Sequence, residues 1–214
     1  KKRYNAKVMR KRYIPWLWRL PLAGLLIFEI LVHWNVLPLE PDFTSLGLII
    51  TSGMIFAGIE LLYQFVIKPE HRAQMYWWTV IPPVLIIFFD AIGDLSHFYS
   101  RFHYYDQALH FFGSFGLALF IWNIMTVRYA GRVSAGSILF FSFMTAVALT
   151  VFYEIEEYLE DVITGSSRLG DGPDTGNDLS MNALGALTSV LLLRLRLLFV
   201  RDKTAGQLRI DRKY

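Results

Sequence analysis

The 214-residue chain contains no cysteine. That excludes disulfides, thiolate metal sites and a cysteine nucleophile. Charge is sparse as well: 18% of residues are charged against 54% hydrophobic, and mean hydropathy is +0.38. No glycine-rich nucleotide-binding loop occurs. The Pro-Ser-Gly-His-like segment of lipid phosphatases is missing, which excludes that family. There is no internal repeat, no low-complexity tract and no inverted-repeat pattern of a transporter. No stretch outside the apolar runs is long enough for a separate soluble domain, and the basic tail is too short to form a nucleic-acid-reading surface.

What the chain does have is long apolar runs. A bilayer-spanning helix needs about 20 mostly apolar residues. Six stretches qualify: Trp16–Leu37, Leu46–Ile67, Trp77–His97, Asp106–Val127, Ser134–Tyr158 and Asp178–Val200. The expected fold is all-α, a polytopic membrane protein with one six-helix domain over residues 1–214. The first run follows a basic start, as in a signal peptide. It is too long for one and lacks a small-residue cleavage site, so it reads as a retained helix.

The charges are segregated. Lys1, Lys2, Arg3, Lys7, Arg10, Lys11 and Arg12 open the chain, and Lys68, Arg72, Arg128 and Arg132 follow the second and fourth runs. Arg194, Arg196, Arg201, Lys203, Arg209, Arg212 and Lys213 close it. If six helices alternate, all of these fall on one side, and the other side holds only Arg101 and Arg168. The positive-inside bias then puts both termini in the cytoplasm, with residues 1–15 and 201–214 as basic cytoplasmic segments. The expected location is the plasma (inner) membrane, and the basic patches fit anionic lipid headgroups.

The acidic residues lie on the opposite side. Asp90, Asp94 and His97 are spaced i, i+4, i+7 on the third helix, and Asp106 and His110 i, i+4 on the fourth. Glu154, Glu157 and Asp161 are i, i+3, i+7 on the fifth, and Asp178 and Asn182 i, i+4 on the sixth. Each spacing puts its members on one helix face. Ionisable groups inside a membrane cost about 2.5–3.5 kcal/mol each on insertion scales, so they turn inward and pair or serve function. Stripes of acids and histidines converging from four helices repel one another unless cations or protons balance them.

The expectation is a cavity open to the extracytoplasmic side holding a divalent metal. Histidine with carboxylate suits Zn, Mn or Fe, and carboxylate alone suits Mg. Candidate ligands are Asp94, His97, Asp106, His110, Glu154, Glu157 and Asp178. The alternative without metal is a proton-sharing network that locks the bundle.

Other positions have plainer readings. His103 suits the interface, and Glu156 and Glu160 suit water. Asp171 and Asp174 suit a turn or a cap in an irregular acidic external loop over 159–177. Asp178 also suits a helix N-terminus. Pro82 and Pro83 predict a kink in the third helix. The small residues of the fourth and sixth helices predict close packing. Glu29 and Glu60 are embedded without an evident partner, and Glu29 with His33 is a further candidate for the cavity wall.

The segments YDQALHFFGSFG, FYEIEEYLEDVITG and GDGPDTGNDLSMNALGALTSV resemble the YjdF-type (DUF2238) inner-membrane proteins, a family of unknown function, and more distantly the VanZ-like proteins. Tyr105, Asp106 and His110 match a Tyr-Asp-x-x-x-His motif. Phe152, Tyr153, Glu154 and Glu157 match Phe-Tyr-Glu-x-x-Glu. Asp174, Thr175, Asp178, Gly185 and Ala186 match an Asp-Thr-x-x-Asp-Met element leading into Gly-Ala. The chain departs at Pro173, where the family often has tryptophan, and at Leu179, where methionine is usual. The likeness runs from Asp90 to Leu193. It implies six helices and, through the VanZ-like link, a loose association with glycopeptide resistance and the cell envelope.

Three functions fit these residues. The first is a metal-dependent hydrolase or transferase acting on a lipid or lipid-linked substrate, with Glu154 or Asp174 as general base. In it Arg101 or Arg168 would bind a substrate phosphate, and Asn182 is a further substrate-binding candidate. The second is an ion- or proton-coupled carrier. The third is a non-catalytic envelope- or resistance-associated protein.

Overall fold

A computed structural model describes residues 15–129 and 131–211. It is all-helical, with no strand among the described residues. Among the described residues, six helices are long and apolar enough to cross a membrane: Trp16–His33, Ser45–Val66, Trp77–Leu95, Tyr105–Tyr129, Ala135–Thr164 and Gly172–Phe199. We number the α-helices α1 (Trp16–His33), α2 (Ser45–Leu61), α3 (Ile81–Leu95), α4 (Phe98–Arg101), α5 (Tyr105–Tyr129), α6 (Ala135–Thr164) and α7 (Gly172–Asp211). The basic opening segment expected over 1–15 lies, up to residue 14, outside the described residues. Of the basic tail, 201–211 continue α7 and 212–214 lie outside them.

Side-chain chemistry sets the helix ends. The Thr44 hydroxyl accepts from the Gly47 N–H at 3.0 Å to open α2, and Ser134 caps α6 through Ser137 at 3.0 Å, each satisfying an amide with no partner inside its helix. Gly165, at φ 75°, closes α6 with its N–H on the Asp161 carbonyl, a left-handed cap that suits glycine.

Two sequence expectations are corrected here. Pro82 and Pro83 do not kink a helix: they lie in the first turn of α3, after a separate 3₁₀ turn at Trp77–Thr79. A proline there removes no intrahelical hydrogen bond, so it starts the helix instead. The connection expected over 159–177 is also shorter. α6 runs to Thr164 and α7 begins at Gly172, so residues 159–164 and 172–177 of the expected loop are helical, with Glu160 buried among them.

α5 is the centre of the bundle, packed against α3, α6 and α7, while α1 packs on α2 and α3. One core joins Trp18, Leu22, Leu48, Val84, Ile87 and Phe120; a second joins Leu119, Trp122, Ile138, Val190 and Leu193. α5 contributes to both. Its approach to α7 is close: a Cβ at Gly185 would overlap the Phe111 carbonyl. Phe140, Phe152, Phe199 and other large apolar side chains are exposed on the outer surface, as a lipid-facing surface requires.

Candidate metal centre

The bundle has two chemically different ends. At the basic end Glu60 accepts from Arg19 Nε at 3.0 Å, Trp18 Nε1 at 3.1 Å and Gln64 Nε2 at 2.7 Å. An arginine fork therefore accounts for the embedded Glu60. At the other end, the acidic end, α3, α5, α6 and α7 bring their polar residues together around His110.

His110 is buried, with both ring nitrogens facing polar groups. Nε2 lies 3.4 Å from Asp106 Oδ1 and 3.9 Å from Asp178 Oδ1. Nδ1 lies 3.5 Å from Glu154 Oε1 and 3.1 Å from Asn182 Nδ2. Among the described residues, two groups could hold a metal ion: Asp106, His110 and Asp178 on one side, and His110, Glu154 and Glu157 on the other, each with ligand atoms within 4.8 Å of one another. Asp178 Oδ1 and Glu154 Oε2 are buried without a hydrogen-bond partner. Such an orphan oxygen in a dry interior is costly unless a cation or proton completes it.

Beside this lies an arginine-centred cluster. Arg168 Nη2 donates to both Asp90 oxygens at 3.2 Å and to the Tyr153 hydroxyl at 2.8 Å, and Nε donates to Glu157 Oε1 at 3.1 Å. Glu160 Oε2 is 4.0 Å from Nε, and Glu160 Oε1 accepts from the Thr44 hydroxyl. Tyr99 donates to Asp90 at 2.5 Å. Burial works against the charge on Arg168, yet Tyr153, Asp90 and Glu157 around it push the guanidinium well above its ordinary value. Burial, then the Asp90 charge, push the Tyr99 phenol well above its own, so it stays a donor.

The sequence-predicted residues divide accordingly. Asp106, His110, Glu154, Glu157, Asp178 and Asn182 come together. Asp94 and His97 do not join them. Asp94 Oδ1 accepts from the Phe43 N–H at 2.9 Å and so fastens the α1–α2 connection. His97 lies past the end of α3 at φ 58°, so the i+3 register from Asp94 is broken. Its Nδ1 meets Asp42 at 2.6 Å and its side chain is 43% exposed.

Arg168 is not a free substrate-facing cation, because Asp90, Glu157 and Tyr153 engage it. Arg101 ends α4 and is exposed. Asp174 is in the first turn of α7, and Asp171 accepts its N–H at 3.0 Å as the cap. Asp161 serves the connection, accepting from Ser166, Arg168 and Leu169. Glu160 and Glu156 do not face open water: Glu160 is 4% exposed, and Glu156 is half-buried against Thr51 at 3.3 Å. Glu29 is buried and accepts from Ser52 at 2.8 Å, whereas His33 pairs with Ser45.

Two cavities open beside the centre. One, of about 350 Å³, is lined by residues that include Asp42, Tyr99, Asp106, Arg168 and Asp174. A larger one, of about 640 Å³, shares His103, Gln107 and Asp174 with it and adds Asp171 and Asn177.

Fold and site together define a six-span helical membrane protein with a buried acid–histidine centre. The chain belongs to the DUF2238 family of predicted membrane proteins, whose family model matches residues 18–198. The match extends the expected likeness back through α1 and α2. An uncharacterized protein of Thermotoga maritima is 29% identical over 99 residues, 46% of this chain. The chain spans 52% of that relative's length. No solved structure matches. None of these comparisons bears on the VanZ-like or cell-envelope association.

Proposed function

We propose that the acidic end holds one divalent metal on Asp106, His110 Nε2 and Asp178, and that this centre hydrolyses or transfers a lipid or lipid-linked substrate entering through the adjoining cavities. The observation that carries the reading is the buried, unpartnered Asp178 Oδ1 beside His110 Nε2, with Asp106 reaching from the same nitrogen to the cavity wall. A closed structural site needs no opening, whereas this one adjoins a cavity, as a catalytic metal requires. One imidazole with two carboxylates suits Zn, Mn or Fe.

The Nε2 side is favoured over the Nδ1 side because the latter is already engaged. Asn182 and Glu154 face Nδ1, and Arg168 holds Glu157. A metal on Nε2 requires the ring proton on Nδ1, where Glu154 Oε1 at 3.5 Å, or the Asn182 amide turned to present its oxygen, accepts it, an orienting role outside the ligand set. A bound metal lowers the pKa of water and polarises a phosphoryl or carbonyl oxygen. Asp174, which lines both cavities, is placed to accept the proton released. The basic segments support an orientation with both termini in the cytoplasm and the acidic end facing outward. A carrier is less well supported. The buried acids Glu29, Asp90, Asp94, Glu154, Glu157, Glu160 and Asp178 all lie toward one end of the bundle, and no path of such groups continues to the other among the described residues.

Elemental analysis of the protein purified in mild detergent tests this reading. About one equivalent of metal is expected in the parent chain and none in His110→Ala or Asp178→Asn. No metal in the parent, with all three equally stable, would replace the reading with a protonated carboxylate network.

A further inference from the structure

Two buried polar atoms without a partner belong to residues that line the smaller cavity: Gln107 Oε1 and Arg168 Nη1. Gln107 follows Asp106 on α5 and lines the larger cavity as well. The Arg168 side chain is 2% exposed. Its Nε and Nη2 serve Glu157, Asp90 and Tyr153, which engages its charge, but the third nitrogen is left over. A buried donor or acceptor left unmade carries its full desolvation penalty, so each of these atoms calls for a partner.

The cavity walls decide the charge of that partner. Beyond Arg168, the basic side chain on them is His103, against the carboxylates of Asp42, Asp106, Asp171 and Asp174. Asp42 pairs with His97 at 2.6 Å, and Asp171 Oδ1 accepts the Asp174 N–H at 3.0 Å. The walls are acidic in sum, and among the described residues only the groups that include His110 are close enough to hold a metal. A phosphate would be repelled, and its acceptor oxygens have nothing to give Gln107 Oε1. An ammonium suits the carboxylates but cannot accept from Arg168 Nη1. A hydroxyl both donates and accepts, so it answers both atoms, whichever way the Gln107 amide is turned.

The rim adds an aromatic face. Tyr104 lines the larger cavity and is 74% exposed. The negative face of such a ring attracts the polarised C–H groups of a sugar. Tyr104, Ala108 and Phe112 are spaced i, i+4, i+8 along α5 and all three are exposed. This stripe leads from the cavity along the lipid-facing surface, a lane for an acyl chain.

We propose that the two cavities form a headgroup subsite for a polyhydroxyl, sugar-like group carried on a lipid. Gln107 and Arg168 Nη1 bind its hydroxyls and Tyr104 covers its carbon face. The inference rests on the proposed function for what is done to the substrate, and it names the substrate's headgroup.

The test is a binding measurement in EDTA, so that its outcome does not depend on the metal. The full chain is immobilised in a polyoxyethylene detergent, since a sugar-headed detergent would compete. Retention of labelled glucosyl dioctanoylglycerol is compared with that of dioctanoyl phosphatidate and dioctylamine, and free glucose is added as competitor. Saturable binding of the glucosyl lipid is expected, about 10-fold or more tighter than that of the other two lipids. Gln107→Leu is expected to weaken it about 10-fold, and Tyr104→Ala, a change on the exposed rim, to weaken it as well. Free glucose that binds as tightly as the glucosyl lipid would keep the hydroxyl subsite and make a free sugar its source. The proposal is overturned if phosphatidate or dioctylamine binds best. It is equally overturned if the glucosyl lipid does not saturate, or if Tyr104→Ala and a folded Gln107→Leu both bind it as the parent does. Should Gln107→Leu fail to fold, parent-like binding by Tyr104→Ala alone overturns it.

Discussion

At the residue scale, His110 has polar groups at both ring nitrogens, and the two sides differ in what they can do. Asp106 and Asp178 face Nε2 near a cavity, while Glu154 and Asn182 face Nδ1 in the closed interior. If Glu154 orients the ring and is not a ligand, Glu154→Gln should keep the metal stoichiometry and weaken its affinity about 10–100-fold. Competition against a chelator reads that change, and complete loss of metal at saturation would make Glu154 a ligand.

The acid and histidine stripes of α5, α6 and α7 were legible in the sequence because i, i+3 and i+4 spacings fix a face wherever the helix is continuous. Asp94 and His97 show the limit. The spacing looks the same on paper, but α3 ends between them and the ring leaves the register. Arg168 shows another limit. It pairs with Asp90 across 78 positions, and no local pattern encodes that meeting.

At the scale of elements, six apolar runs translate almost directly into helices, because length and hydropathy are properties of the chain alone. Where helices touch is less legible. The small residues of the fourth and sixth runs suggest close approach, and Gly185 against the Phe111 carbonyl is where α5 and α7 meet most tightly. Gly185→Val forces backbones apart at that point. A loss of about 1–3 kcal/mol is expected, read as a lower unfolding temperature, whereas the same change at Gly58, which has open space, should be nearly neutral to packing. Pro82 and Pro83 were misread for a local reason. The apolar run begins before the α-helix does, at a 3₁₀ turn, so prolines that looked internal are in a first turn.

At the scale of the whole molecule, the separation of a basic and an acidic end supports one orientation, and the absence of cysteine makes it directly testable. Ser100→Cys, in α4 at the acidic end, is expected to react in intact cells with a membrane-impermeant maleimide. Ser134→Cys, at the start of α6, is expected to react only after lysis. The reverse pattern would invert the topology and turn the cavities toward the cytoplasm. Both positions are exposed and sit at or near helix ends, so the substitutions leave the cores intact.

The long separation between Asp90 and Arg168 also bears on how the protein is made. α3 leaves the ribosome well before the arginine that neutralises it, and for that interval its acids must enter the bilayer protonated or wait at the insertion machinery. Each would cost about 2.5–3.5 kcal/mol as an unpaired charge. α3 therefore either inserts with Asp90 protonated or settles only once the α6–α7 connection, 78 residues further along, has been made.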